Sequence, residues 1–284
     1  MFTSTHLHDA RRDRAILAAS LAALAGIAWI TLAAWSASPY ARYLHHDGAG
    51  ASLQAGEAGL FVLGWVVMIV AMMLPSSIPL VLVFAAVVGR RPRPRLLVGL
   101  LLAGYLVAWA AFGAVAWLLD RGIHAGVDAW PWLASHPQLI MGTTLLVAGL
   151  WQFSPLRDRC LDECRSPFGF VVNRWRATSI RRESFAMGIA HGAFCIGCCW
   201  SLMLVMFGVG LGSVTAMLAL GALTAVEKNL PWGRRLTRPL GFALVFGVTR
   251  LLKTAESTGR FRRIVCRATG RIRSSVPRPE KTAD

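Results

Sequence analysis

Between Phe185 and Val226 the chain carries no Asp, Glu, Lys or Arg, and few folds accommodate a charge-free run of that length. It is too long for one buried helix of a soluble domain, and Gly208, Gly210 and Gly212 divide it into two apolar segments joined by a tight turn. The first segment holds His191, Cys195, Cys198, Cys199 and Met203. At about 100° per helical residue, the three thiols fall within about 80° of His191, and Met187 and Met206 share that face. Soft donors give no folding advantage over Leu or Val in an apolar setting, so the arrangement points to a ligand or a redox role.

The rest of the chain repeats the apolar pattern. Runs over 15–35, 59–88, 96–119, 139–153, 185–209 and 214–226 predict an all-α polytopic transmembrane bundle of six spans, in keeping with 55% hydrophobic and 15% charged residues. The run from Ala15 to Trp35 is longer than the apolar region of a signal peptide, so it reads as a retained helix. Lys and Arg gather at the N-terminus and in the second, fourth and sixth loops, which puts both termini in the cytoplasm of a bacterial inner membrane. The net charge of +16 is therefore topological, and nucleic-acid binding is not expected, because the basic residues do not interleave with stacking aromatics. The expected organisation is a cytoplasmic segment over 1–14, a bundle over 15–230, an interfacial or half-inserted helix over 231–252 and a basic disordered tail over 253–284. A short seventh span over 240–252 is the alternative for the third of these. In the first outer loop His45 and His46 beside Asp47 read as a solvated pair, and Cys266 in the tail as incidental.

Two further segments carry soft donors. The second span is expected to break at Pro75 and Pro79, each of which removes a backbone donor, and Met68 and Met72 stack one turn apart just before the break. In the fourth loop, Cys160 and Cys164 stand at i and i+4 among arginines, the spacing of a two-coordinate soft-metal clip. Helix rise places Cys195–Cys199 about 20 to 25 Å beyond Arg182, near or just past the middle of a hydrocarbon core about 30 Å thick, and Met72 at a similar level. Gly188, Gly192 and Gly197 would let a neighbouring backbone approach the cysteine helix closely.

Thiolate and thioether ligands select Cu(I), with zinc the alternative once an imidazole joins, while Mg or Mn would call for carboxylates. The expected metal ligands are His191, Cys195, Cys198, Cys199, Met72, Met68, Cys160 and Cys164. Glu57, Asp120 and Glu227 read as edge residues of the spans. The favoured function is soft-metal transport, delivery or homeostasis in the membrane, with a soluble metal carrier as partner. Two alternatives remain open: a thiol–disulfide redox protein using Cys195 and Cys198 with a thioredoxin-like partner, and a structural membrane subunit. No nucleophile–base–acid constellation, phosphate loop or dinucleotide fingerprint is present in the sequence, so an enzyme is not the favoured class.

Three blocks carry a family resemblance: Met68 with Ala71-Met72-Met73-Leu74-Pro75-Ser76; Trp151-Gln152 with Pro155-Leu156, Cys160-Leu161 and Cys164-Arg165; and His191-Gly192 with Cys195, Gly197-Cys198-Cys199-Trp200 and Leu202-Met203. Glu227-Lys228 matches as well. In these blocks the chain resembles a bacterial family of uncharacterised integral membrane proteins described as predicted metal-binding. The resemblance implies a membrane protein with a metal site at these residues.

Overall fold

The computed structural model describes all residues but 1–3, 39–54, 177, 210–212, 252 and 254–284. His45, His46, Asp47, Cys266 and the basic tail beyond 253 lie outside the described residues. The described chain is helical, without a strand. The helices are α1 (Ser4–Ser36), α2 (Ala55–Met72), α3 (Leu74–Val88), α4 (Pro94–Ala129), α5 (Pro131–Ala134), α6 (Pro137–Trp151), α7 (Pro155–Arg165), α8 (Pro167–Arg174), α9 (Ile180–Val209) and α10 (Val214–Asn229). A 3-10 turn (Gly233–Leu236) leads into a last helix, α11, over 237–251.

Three stretches are long and apolar enough to cross a membrane: Arg11–Ser36, Pro94–Ala129 and Ile180–Met206. Two bent pairs, 58–88 and 138–165, raise the number to five among the described residues. Of the expected spans, the second and fourth count only as these bent pairs, and the sixth does not count. Helix α10 has only 16 residues, about 24 Å at 1.5 Å per residue. At the other end of the chain, the residues before Ala15 are continuous with α1 and form its first turns.

The break in the second span falls one step earlier than its prolines. The chain bends by 69° between α2 and α3, at Met73. Pro75 occupies the first turn of α3, where a missing N–H removes no helical bond, and Pro79 sits inside the helix. Ser76 and Ser77 both donate to the Met73 carbonyl, at 2.8 and 3.2 Å, so the bend leaves this acceptor satisfied.

The 155–183 segment, which in sequence has the character of a cytoplasmic loop, folds back onto the bundle instead. Helix α7 turns 65° from α6 and buries Arg157, Cys160 and Leu161, packing along α9. Its polar side carries Arg157 and Arg165 to groups on α10. A charge count along the sequence cannot distinguish these from arginines in water.

The pairing of α4 with α9 forms the largest helix–helix contact. It is close because it is glycine on backbone: a Cβ on Gly188 would meet the Leu101 carbonyl, one on Gly104 the Phe185 carbonyl, and one on Gly192 would stand 2.7 Å from Ala108 Cβ. The expected close approach at Gly188 and Gly192 is thus made by α4. On the far side α11 runs antiparallel to α6, pairing Phe242 with Phe153 and setting Val245 against Gly149. Large apolar side chains on the outer faces, among them Ile27, Ile30, Leu119, Leu150 and Phe246, are exposed. A Gly188→Val substitution should lower stability by about 1–3 kcal/mol or more, read as a fall in the thermal unfolding midpoint of the purified protein. An unchanged midpoint would show that α4 and α9 are not in backbone contact.

Candidate metal centre

The inward face of α9 is buried throughout: Cys195, Cys198, Cys199, Met203 and Met206 are each at most 2% exposed. Side chains on a helix lean toward its N-terminus, and here that tilt aims the Cys198 and Cys199 thiols back at one carbonyl. Both donate to Cys195 O, at 3.1 and 2.9 Å. Cys195 Sγ projects into a polar cluster, 3.3 Å from Tyr105 Oη on α4 and 3.0 Å from Lys228 Nζ on α10.

Helix α7 supplies the fourth thiol. Cys164, half-buried, packs against the buried core that holds Cys195, Cys198 and Cys199, so four cysteines from two helices lie in one neighbourhood. Cys160, one turn earlier, is buried against Gly197, where a Cβ would collide with its sulfur. The close approach expected at Gly197 is therefore made by a side chain of α7 and not by a backbone. On the α6 side, Trp151 meets Trp200 edge-on at 5.1 Å and donates its Nε1 hydrogen to Gly197 O at 3.1 Å.

His191 lies one turn before Cys195, stacked on Tyr105 at 5.5 Å. Its Nε2 stands 3.1 Å from Ser77 Oγ. The Ser77 hydroxyl donates its one hydrogen to Met73 O, so Nε2 carries the ring hydrogen and Nδ1 keeps a lone pair. That Nδ1 is buried without a protein hydrogen-bond partner.

Of the expected methionines, Met72 lies against Gly221 of α10 and Met68 is buried in the same apolar core. The thioether beside the thiols belongs to Met73, whose sulfur is 3.9 Å from both Cys199 Sγ and Lys228 Nζ. Met187, expected on the thiol face, packs in a separate core with Leu101 and Phe170. Sequence reasoning misses three participants: Met73, Tyr105 and Lys228. The matching Glu227-Lys228 pair is the available signal, but its position at the end of an apolar run gives it the look of a span edge.

Both of those residues are buried, Glu227 at 2% and Lys228 at 6% exposure. Glu227 accepts from Arg157 Nη2 at 2.8 Å, and Thr237 joins the pair, accepting from Arg157 Nη1 at 2.9 Å and donating to Glu227 Oε1 at 3.3 Å. Arg165 donates to the Glu227 and Pro231 carbonyls. These bonds tie α7, α10 and α11 together beside the thiols.

The donor set fits a soft cation: three buried thiols with a fourth packed against them, one thioether and one unpartnered imidazole nitrogen, with Glu227 already committed to Arg157. Among the described residues, no three His, Cys, Asp or Glu side chains are arranged to hold an ion as they stand. The α9 thiols are engaged with Cys195 O and with Lys228, so ion capture requires them to give up hydrogens and turn.

Among the described residues, fold and site together define a helical protein with exposed apolar faces and a buried soft-donor cluster. A family model described as "PpoB2: Copper chaperone" matches residues 62–249, which include every member of that cluster, and the chain belongs to this family. No curated protein and no solved structure matches it. Arg157→Met should cost about 3–5 kcal/mol by leaving Glu227 buried and unpaired, whereas Arg157→Met with Glu227→Leu should recover part of the loss. Chemical unfolding of the purified variants reads this, and equal losses in the single and double variants would contradict the pairing.

Proposed function

We propose that the chain is a membrane-embedded copper chaperone that binds Cu(I) as cargo at Cys195, Cys198, Cys199 and Cys164 and passes it to a soluble carrier. The observation that carries this reading is the buried row of three thiols on α9 with Cys164 of α7 packed against it, in a chain of a copper-chaperone family. Thiolates hold Cu(I) in low coordination, and exchange between adjacent thiols moves it without a free-ion step. Cys164 is the exchange thiol, because it is half-buried while the three cysteines of α9 are fully buried. Met73 and His191 Nδ1 are the auxiliary donors. The long apolar helices with exposed apolar faces support insertion in a membrane, and the Lys and Arg gathered before the first span support a cytoplasmic N-terminus. Family membership favours this reading over thiol–disulfide exchange and over a structural subunit, and no observation favours zinc.

Protein purified after growth in copper should carry stoichiometric Cu(I) by elemental analysis. Cys195→Ser with Cys198→Ser should remove it, while Cys164→Ser should keep most of the copper and slow its transfer to a soluble chelator. Copper-free wild-type protein, or unchanged loading of the double variant, would contradict the proposal.

A further inference from the structure

Lys228 is a feature of the cluster that copper binding by thiols does not by itself require. An ammonium at 6% exposure is costly to bury, and it is not spent on the nearest carboxylate, since Glu227 is engaged by Arg157. It donates instead to Cys195 Sγ at 3.0 Å and stands 3.9 Å from the Met73 sulfur.

We propose that Lys228 determines the ion selectivity of the site: its ammonium is a fixed counter-charge that makes a pair of thiolates neutral with a monovalent soft ion. The inference rests on the copper reading above and adds the reason for choosing Cu(I). Cu(I) between two thiolates carries one net negative charge, which Lys228 cancels in a site where an unbalanced charge is expensive. A divalent ion on the same two thiolates is already neutral, so the ammonium leaves an uncompensated positive charge. Balance would then need a third thiolate, so the ammonium favours a monovalent ion wherever two thiolates hold it. Arg165 and Arg157 fix the backbone and side chain of Glu227, and so hold Lys228 in place.

The test compares Cu(I) affinity, by competition with a chromogenic Cu(I) chelator, with Cd(II) affinity in wild type, Lys228→Leu and Lys228→Arg full-length protein. Lys228→Leu should weaken Cu(I) about tenfold or more while Cd(II) binding holds or strengthens, and Lys228→Arg should keep the wild-type preference. Parallel loss of both ions in Lys228→Leu, or an unchanged ratio, would overturn the counter-charge role and leave the copper reading standing. Wild-type protein that takes up no Cu(I) would overturn both. Should Lys228→Leu fail to fold, wild type decides alone: Ag(I) retained and Cd(II) lost on desalting supports the proposal, and stoichiometric Cd(II) retention overturns it.

Discussion

The buried pair of Arg157 and Glu227 holds together the helices that close around the thiols. Two charges taken out of water stabilise a fold only when each is well partnered, and here Thr237 bridges the two while Arg157 Nε stays buried without a partner. Because Arg157 and Cys164 lie on the same short helix, the ion pair that docks α7 also brings Cys164 against the core that holds Cys195 and Cys198. Because Lys228 follows Glu227 directly, it also sets the ammonium over Cys195. A mismatch at this one pair would separate the fourth thiol and the counter-charge from the face of α9.

A second constraint comes from the bend at Met73. Ending α2 there frees one carbonyl, and the serines that cover it have further consequences. Ser77, having given its hydrogen to Met73 O, can only accept from His191, which leaves Nδ1 bare. The same bend sets the Met73 sulfur between Cys199 and Lys228. A backbone irregularity inside an apolar bundle is tolerated where it is buried against protein, and this one supplies both auxiliary donors.

Much of this is legible in the sequence, for identifiable reasons. The common face of Cys195, Cys198 and Cys199 follows from helical periodicity, and the close approach at Gly188 and Gly192 follows from the absence of side chains. Both are local properties of one helix. What the sequence conceals depends on tertiary contact. Arg157 and Lys228 look like solvated charges at the ends of apolar runs until their partners on other helices are known. The 155–183 segment looks like a loop for the same reason. Proline marks a break, which points to Pro75 and Pro79, but a proline in the first turn of a helix leaves the bend to the residue before that turn. Met73 therefore takes the position expected of Met72.

The central claim, that Cys164 of α7 shares one site with the thiols of α9, is tested most directly by mild diamide oxidation followed by peptide mass spectrometry, with and without prior Cu(I) loading. The account predicts a disulfide joining Cys164 to Cys195 or Cys198 in copper-free protein, and its loss once Cu(I) is bound. Disulfides confined to one helix, or an interhelical disulfide that forms equally well with copper present, would contradict it.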